Sequence, residues 1–235
     1  MAARFAGLIL AGGTGDRYGG PKAFARIPDG RPFLAACAEL LTSAGAAPLV
    51  ATLPAGTLSL ESPDLQGLPL PASGLAMFDS LKLGLERLLA DEAWGAVVVL
   101  PVDHPLVAPG TVKALASAEA EAALPSHHGK HGHPVMLSRH LAERIVAGEL
   151  AGPTLREVLR AVGTVDVPVD DPGVTANCNT PEVLAAVWAQ LGRLPGGRCT
   201  CGAGGNRRPA GVLLRFAEVD RHRWTGGHGG GRRRV

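Results

Sequence analysis

Two places in this chain have residues suited to handling phosphate. The first is Phe5 to Lys22, FAGLILAGGTGDRYGGPK, where an apolar run ends among Gly12, Gly13, Gly15, Gly19 and Gly20 with Arg17 and Lys22 alongside. Glycine has no Cβ and accepts positive φ, so several backbone N–H groups can converge on one anion, and the two cations add formal charge. The second is Asp103, in Pro101-Val102-Asp103-His104-Pro105, a carboxylate just past the apolar run Ala96 to Leu100. A half-buried carboxylate is costly unless it meets a cation, and Mg²⁺ on a nucleoside triphosphate is the natural one. Its competing role is a cap on the turn before the next helix.

Two common phosphate loops are excluded. The dinucleotide fingerprint needs a helix after G-x-G-x-x-G, but Gly13 and Gly15 are followed by Tyr18, and Pro21 stands where the helix should run. The ATPase loop needs Gly-Lys-Ser/Thr, whereas this chain reads Gly20-Pro21-Lys22-Ala23.

The elements that must position these residues follow from periodicity. Phe5, Leu8, Ile9 and Leu10 form a short buried strand, Pro32 to Ala44 a helix closed by Gly45, and Ala47 to Leu53 a second strand. That order is a βαβ unit, which makes parallel sheet. Residues 54–73 lack a clear period, apart from a short strand at Leu68 to Leu70. Ser73 to Leu89 is a helix with Phe78, Leu81, Leu85, Leu88 and Leu89 on one stripe, entered through Ser73 as a cap or a nucleotide contact. Ala96 to Leu100, continuously apolar, is a central parallel strand. A helix at Pro109 to Glu121, a strand at Ala122 to Pro125 and a helix at Ser138 to Ala147 follow. Thr154 and Glu157 form a capping box, Thr164 to Val169 a late strand, and Thr180 caps a helix over 181–192. The expected architecture is one three-layer α/β/α, Rossmann-like domain with a mostly parallel sheet, covering residues 1–195.

The loop from Leu10 to Lys22 reads L-A-G-G-x-G-x-R-x-G-G-P-K and resembles that of the MobA-like nucleotidyltransferases. The resemblance implies the nucleotide-diphospho-sugar transferase type of fold. It also implies that Leu10, Ala11, Gly12, Gly13 and Gly15 wrap an NTP triphosphate neutralised by Arg17 and Lys22. Ser73-Gly74 and the run Ser80 to Leu85 look like the family's second nucleotide segment, and Asp103 matches its Mg²⁺-binding Asp. Gly132-His133-Pro134-Val135 matches a G-x-P-V segment beside the acceptor. Where the family commonly reads D-I-D-T-P-E-D, this chain has Asn177-Cys178-Asn179-Thr180-Pro181-Glu182, so Asn179 is a metal ligand without charge. The implied reaction is Mg²⁺-dependent transfer of NMP from an NTP to a phosphate-bearing acceptor such as molybdopterin, with pyrophosphate released. Leu10 to Gly13 looks like the guanylyl form, while Ser73 to Leu85 and Gly132 to Val135 look like the cytidylyl branch, so two segments against one favour CTP over GTP. With the second carboxylate missing, a weak or inactive nucleotide-binding regulator of the same fold is the alternative.

Four histidines, His127, His128, His131 and His133, fall within seven residues, but their spacing is irregular and no Cys or Asp joins them, which weighs against a metal site. His104 is assigned no catalytic role. The 235 residues, 46% hydrophobic, suffice for one sizeable core. The net charge of +2 is unevenly placed: residues 196–235 hold nine Arg against Glu218 and Asp220, leaving 14 basic against 19 acidic residues in the body. An acidic body argues against nucleic acid as a partner. Four scattered Cys and the lack of a signal-like segment point to the cytoplasm, and no apolar run reaches a membrane span. The Gly- and Arg-rich segment 196–235 reads as disordered or loosely docked. A zinc site from Cys199, Cys201, His222 and His228 is disfavoured by the short Cys-x-Cys spacing.

Overall fold

The computed structural model describes residues 4–15, 20–57, 60–62, 64–91, 93–150, 152–191 and 215–216. Arg17 and nearly all of 196–235, with the weighed zinc ligands, lie outside the described residues.

Four strands make the parallel half of an eight-stranded sheet: β1 (Phe5–Leu10), β2 (Leu49–Leu53), β4 (Gln66–Pro69) and β5 (Ala96–Pro101), in the order β4-β2-β1-β5. The two-residue β3 (Leu60–Glu61) stands apart and pairs antiparallel with β10 (Arg215–Phe216). Helices α1 (Phe33–Ala44) and α2 (Met77–Leu89) make the crossovers. β1 is buried throughout because it carries helices on both faces: Phe5 and Ile9 join the core under α1, and Ala6, Leu8 and Leu10 the core under α2. The same alternation in β5 sends Val98 and Leu100 one way and Val97 and Val99 the other.

Beyond β5 the sheet changes character. Its next members are β8 (Val135–Ser138), β6 (Ala122–His127) and β7 (Lys130–His131), joined antiparallel, while β9 (Val165–Pro168) adds in parallel to β6. Only seven residues separate β6 from β8, too few for the crossover a parallel pair requires. Four of the seven ladders are parallel, so the sheet is mostly parallel, as expected. Helix α3 (Pro109–Ala116) packs on the α1 side, and α4 (Arg139–Ala147) and α5 (Leu155–Val162) share the core of α2, completing three layers. Helix α6 (Pro181–Leu191) follows a 3-10 turn at Pro172–Thr175, and Leu184 joins the core on the α1 side.

Several boundaries differ from the sequence expectation. Helix α2 starts at Met77, not Ser73: Gly74 takes φ +77°, the left-handed conformation that interrupts a helix, and Ala76 is the uncapped first position. Ser73 therefore caps nothing. Helix α3 stops at Ala116, short of Glu121, because the Ser117 hydroxyl bonds the Lys113 carbonyl and the Glu121 carbonyl is taken by Ser138 N of β8. In the capping box, Thr154 Oγ1 accepts from Glu157 N as expected, but the Glu157 carboxylate bonds the Thr154 hydroxyl. No helix among the described residues is long and apolar enough to cross a membrane.

Candidate active site

The register of β1 on β5 sets Leu10 opposite Pro101, so the glycine loop and the Asp103 turn leave the sheet side by side at its carboxyl edge. Val102 N donates to Leu10 O at 3.0 Å, and Ala11 N is held by the Thr52 carbonyl at 3.1 Å, fixing both departures. Ligands of open α/β sheets bind at this edge. The loop folds back at Gly15, where φ is +68° and an added Cβ would lie 2.0 Å from Gly20 O, so no other residue fits. Lys22 follows on a 3-10 turn, Lys22–Phe24.

Lys22 Nζ lies 3.5 Å from Asp103 Oδ2 and donates to Asn179 Oδ1. Three residues singled out from distant parts of the sequence thus meet at one point. Asn179 is brought there by Cys178 N, which donates to the Asp103 carbonyl at 2.9 Å. A carboxylate and an amide oxygen converging on an ammonium form a donor set for a positive charge, and hard oxygen donors suit Mg²⁺. Asn177 instead lines a neighbouring cleft.

Asp171 escaped the sequence reading. It is buried, and its carboxylate accepts from Ala108 N at 2.8 Å, Thr111 Oγ1 at 2.6 Å and Gly173 N at 2.9 Å. These bonds clamp the segment that carries Asn179 to the start of α3, just past Asp103. Asp-Pro at 171–172 is a turn signature and was the available signal. Gly132 supports the same junction from the other side: a Cβ there would meet Val174 O at 2.0 Å.

The cleft has a volume of about 840 Å³ and an apolar wall of Phe78, Leu81, Leu124, Val135, Leu155 and Leu159. Gly132 and His133 line it; Ser73, Gly74 and Ser80 are not among its lining residues. Ser73 and Gly74 are exposed in a turn ahead of α2, and buried Ser80 returns its hydroxyl to the Ala76 carbonyl. The four clustered histidines scatter: His127 faces the Val169 carbonyl, His128 stacks on His127, His131 pairs with Asp166, and His133 turns inward. No group of three or more His, Cys, Asp or Glu among the described residues is placed to hold a metal.

His104, also missed, meets His133 with ring centroids 4.7 Å apart. Burial pushes the His104 pKa below the ordinary histidine range against the pull of Asp103, and pushes that of His133 down to about 4, aided by His104. Both rings are therefore neutral at pH 7. Burial also raises the Cys37 thiol, and raises Cys178 to about 11, so neither is a thiolate.

Residues 7–167 match the model of the MobA-like NTP transferase domain. The chain is 32% identical over 192 residues to a molybdenum cofactor guanylyltransferase of Rhodobacter capsulatus, covering 80% of this chain and 97% of that one. In fold it is similar to Rv0371c of Mycobacterium tuberculosis H37Rv (TM-score 0.66, 21% identity, 80% of this chain and all of that one), which has also been solved in complex with manganese. It is similar again to 2-C-methyl-D-erythritol 4-phosphate cytidylyltransferase of Thermus thermophilus (TM-score 0.57, 19% identity, 81% and 98%). With the loop, the sheet edge and a match spanning 7–167 in agreement, the chain belongs to the MobA-like NTP transferase family and is a nucleotidyltransferase.

Proposed function

We propose that this enzyme transfers GMP from GTP to the terminal phosphate of molybdopterin, releasing pyrophosphate, with Mg²⁺ as the metal. GTP replaces the CTP expected from Ser73 to Leu85 and Gly132 to Val135. The similarity to a guanylyltransferase runs over 192 residues, and Leu10-Ala11-Gly12-Gly13 has the guanylyl form. The observation that carries the reading is the meeting of Lys22, Asp103 and Asn179 at the mouth of the glycine loop.

The backbone from Leu10 to Gly15 cradles the triphosphate, and Lys22, with Arg17 from the part of the loop not described, carries the balancing charge. Ser73 and Gly74 keep their proposed place on the nucleotide side through the turn before α2, and Ser80 keeps its place there from the first turn of that helix, where its hydroxyl bonds the Ala76 carbonyl. Asp103 and Asn179 are the residues that would hold Mg²⁺, which when bound would neutralise charge developing on the α-phosphate. An oxygen of the acceptor phosphate forms the new bond to the α-phosphorus as the bond to the β-phosphate oxygen breaks, and pyrophosphate departs with that electron pair toward Lys22. Gly132, His133 and Pro134 flank the acceptor, in the cleft next to Asp103. No protein nucleophile is required.

The test is pyrophosphate release with molybdopterin and Mg²⁺, measured in parallel for GTP, CTP, UTP and ATP. GTP should give the highest kcat/KM. Equal rates with CTP would end the guanylyl assignment, and no release with any of the four would end the transferase reaction proposed here.

A further inference from the structure

Two residues that line the cleft each carry a buried polar atom with nothing to bond. His104 Nδ1 and His133 Nδ1 are buried, and with Ser62 Oγ they are the buried side-chain nitrogens and oxygens of the described residues that lack a partner. His104 is only 3% exposed. An unpaired buried polar group is costly, and two of them, on rings with centroids 4.7 Å apart in residues lining a cleft of ligand size, are a reason to look for what completes them.

A buried ring nitrogen without a partner is completed by a hydrogen-bonding group on the body of a ligand, such as a hydroxyl, amide or amino group. The surroundings restrict the molecule further: Phe78, Leu81, Leu124, Val135, Leu155 and Leu159 offer an apolar wall, no Asp or Glu lines the cleft, and Arg156 and Arg160 do. An anionic molecule with an apolar flank fits such walls.

We propose that His104 and His133 are specificity residues for the acceptor, selecting a phosphomonoester whose body presents a hydrogen-bonding group to their Nδ1 atoms. This rests on the reading of the cleft as the acceptor side. His104 is the residue after Asp103, so a body held on the imidazoles is anchored next to the carboxylate where its phosphate must react.

The experiment uses the full-length chain with ¹⁵N-labelled histidine, the two Nδ1 resonances being assigned with His104→Phe and His133→Phe. Four probes are titrated separately: GTP with Mg²⁺, inorganic phosphate, molybdopterin, and 2-C-methyl-D-erythritol 4-phosphate, a hydroxyl-rich phosphomonoester. Both Nδ1 signals should move with at least one of the two organic acceptors and stay in place with GTP or inorganic phosphate. His104→Phe should raise the KM of the responding acceptor about tenfold or more, with GTP affinity and melting temperature unchanged. His104→Asn, which restores a hydrogen-bonding side chain, should recover most of that loss. Movement with GTP or inorganic phosphate alone, silence toward both acceptors, or wild-type acceptor KM in His104→Phe would each overturn the proposal. Failure of the wild-type chain to bind GTP while the rings still answer an acceptor would strike the nucleotide reading and leave this one standing.

Discussion

Asp103 belongs to a cluster in which charge is already answered, its carboxylate 3.5 Å from Lys22 Nζ and Lys22 in turn bonded to Asn179. The next residue, His104, belongs to a cluster left unanswered, two neutral rings whose Nδ1 atoms have no partner. The difference separates two ways of preparing for a substrate. In the first cluster an incoming metal and triphosphate must take over partners the protein now supplies, so binding is an exchange and its net energy is modest. In the second, a ligand relieves a standing deficit, so the energy is gained only by a molecule that brings a hydrogen-bonding group to those nitrogens. The first arrangement suits chemistry shared across nucleotides, the second discrimination among acceptors.

The largest expected effect breaks the charged side alone. Asp103→Asn keeps size and hydrogen bonding but leaves Lys22 facing two amides, and kcat at saturating Mg²⁺ should fall by several orders of magnitude with a near-native melt. Wild-type turnover would show Asp103 to be no more than a turn cap.

Next comes Asp171→Ala, which strikes the support common to both clusters. It removes a buried carboxylate and leaves its three donors unpaired, and unfolding by denaturant should show a loss of about 3 kcal/mol. A loss below about 1 kcal/mol would mean the clamp on 171–179 is redundant.

Acid should reveal the neutral side. The folded-state pKa of His133 is about 4, below the ordinary value of 6.5, so between these values the unfolded chain binds the extra proton. Stability is therefore unaffected above pH 6.5 and declines as pH falls toward 4, by up to about 3 kcal/mol. Denaturant midpoints for the wild type and His133→Phe across pH 4–7 check this, and the variant should lose much of the dependence.

The smallest effect sharpens the exchange argument. Lys22→Ala should weaken GTP binding in calorimetry by about 1.5 kcal/mol, the low end for a charge-assisted contact, since freeing Asp103 and Asn179 offsets part of the loss. A larger loss would mean that the internal pairing of Lys22 is weak.

The charged cluster was legible in the sequence by two routes: Lys22 ends a glycine loop and Asp103 follows a β-branched run, both local signals, while the metal role of Asp103 and the choice of Asn179 came from the family resemblance. The local signals depend only on neighbours in the chain. The parallel half of the sheet was legible for the same reason, since strand, helix and strand alternate with clear periods. The histidine pair was not, because His104 and His133 come from different loops and meet only once β8 has inserted between β5 and β6. Nor was the start of α2, where the apolar stripe ran on into residues that Gly74 turns away from the helix.

The bond between Lys22 and Asn179 joins residues 157 apart, and the Asp171 clamp and the Cys178–Asp103 bond also reach back over long stretches. At roughly 5–20 residues per second, a ribosome makes Lys22 some 8–30 s before it makes Asn179. Late in that interval, once β2, β4 and β5 have been made, the glycine loop has its neighbours, but the charged cluster still lacks its final member. Competence is thus acquired late in synthesis, and a chain halted before Asn179 carries the nucleotide loop without the complete cluster.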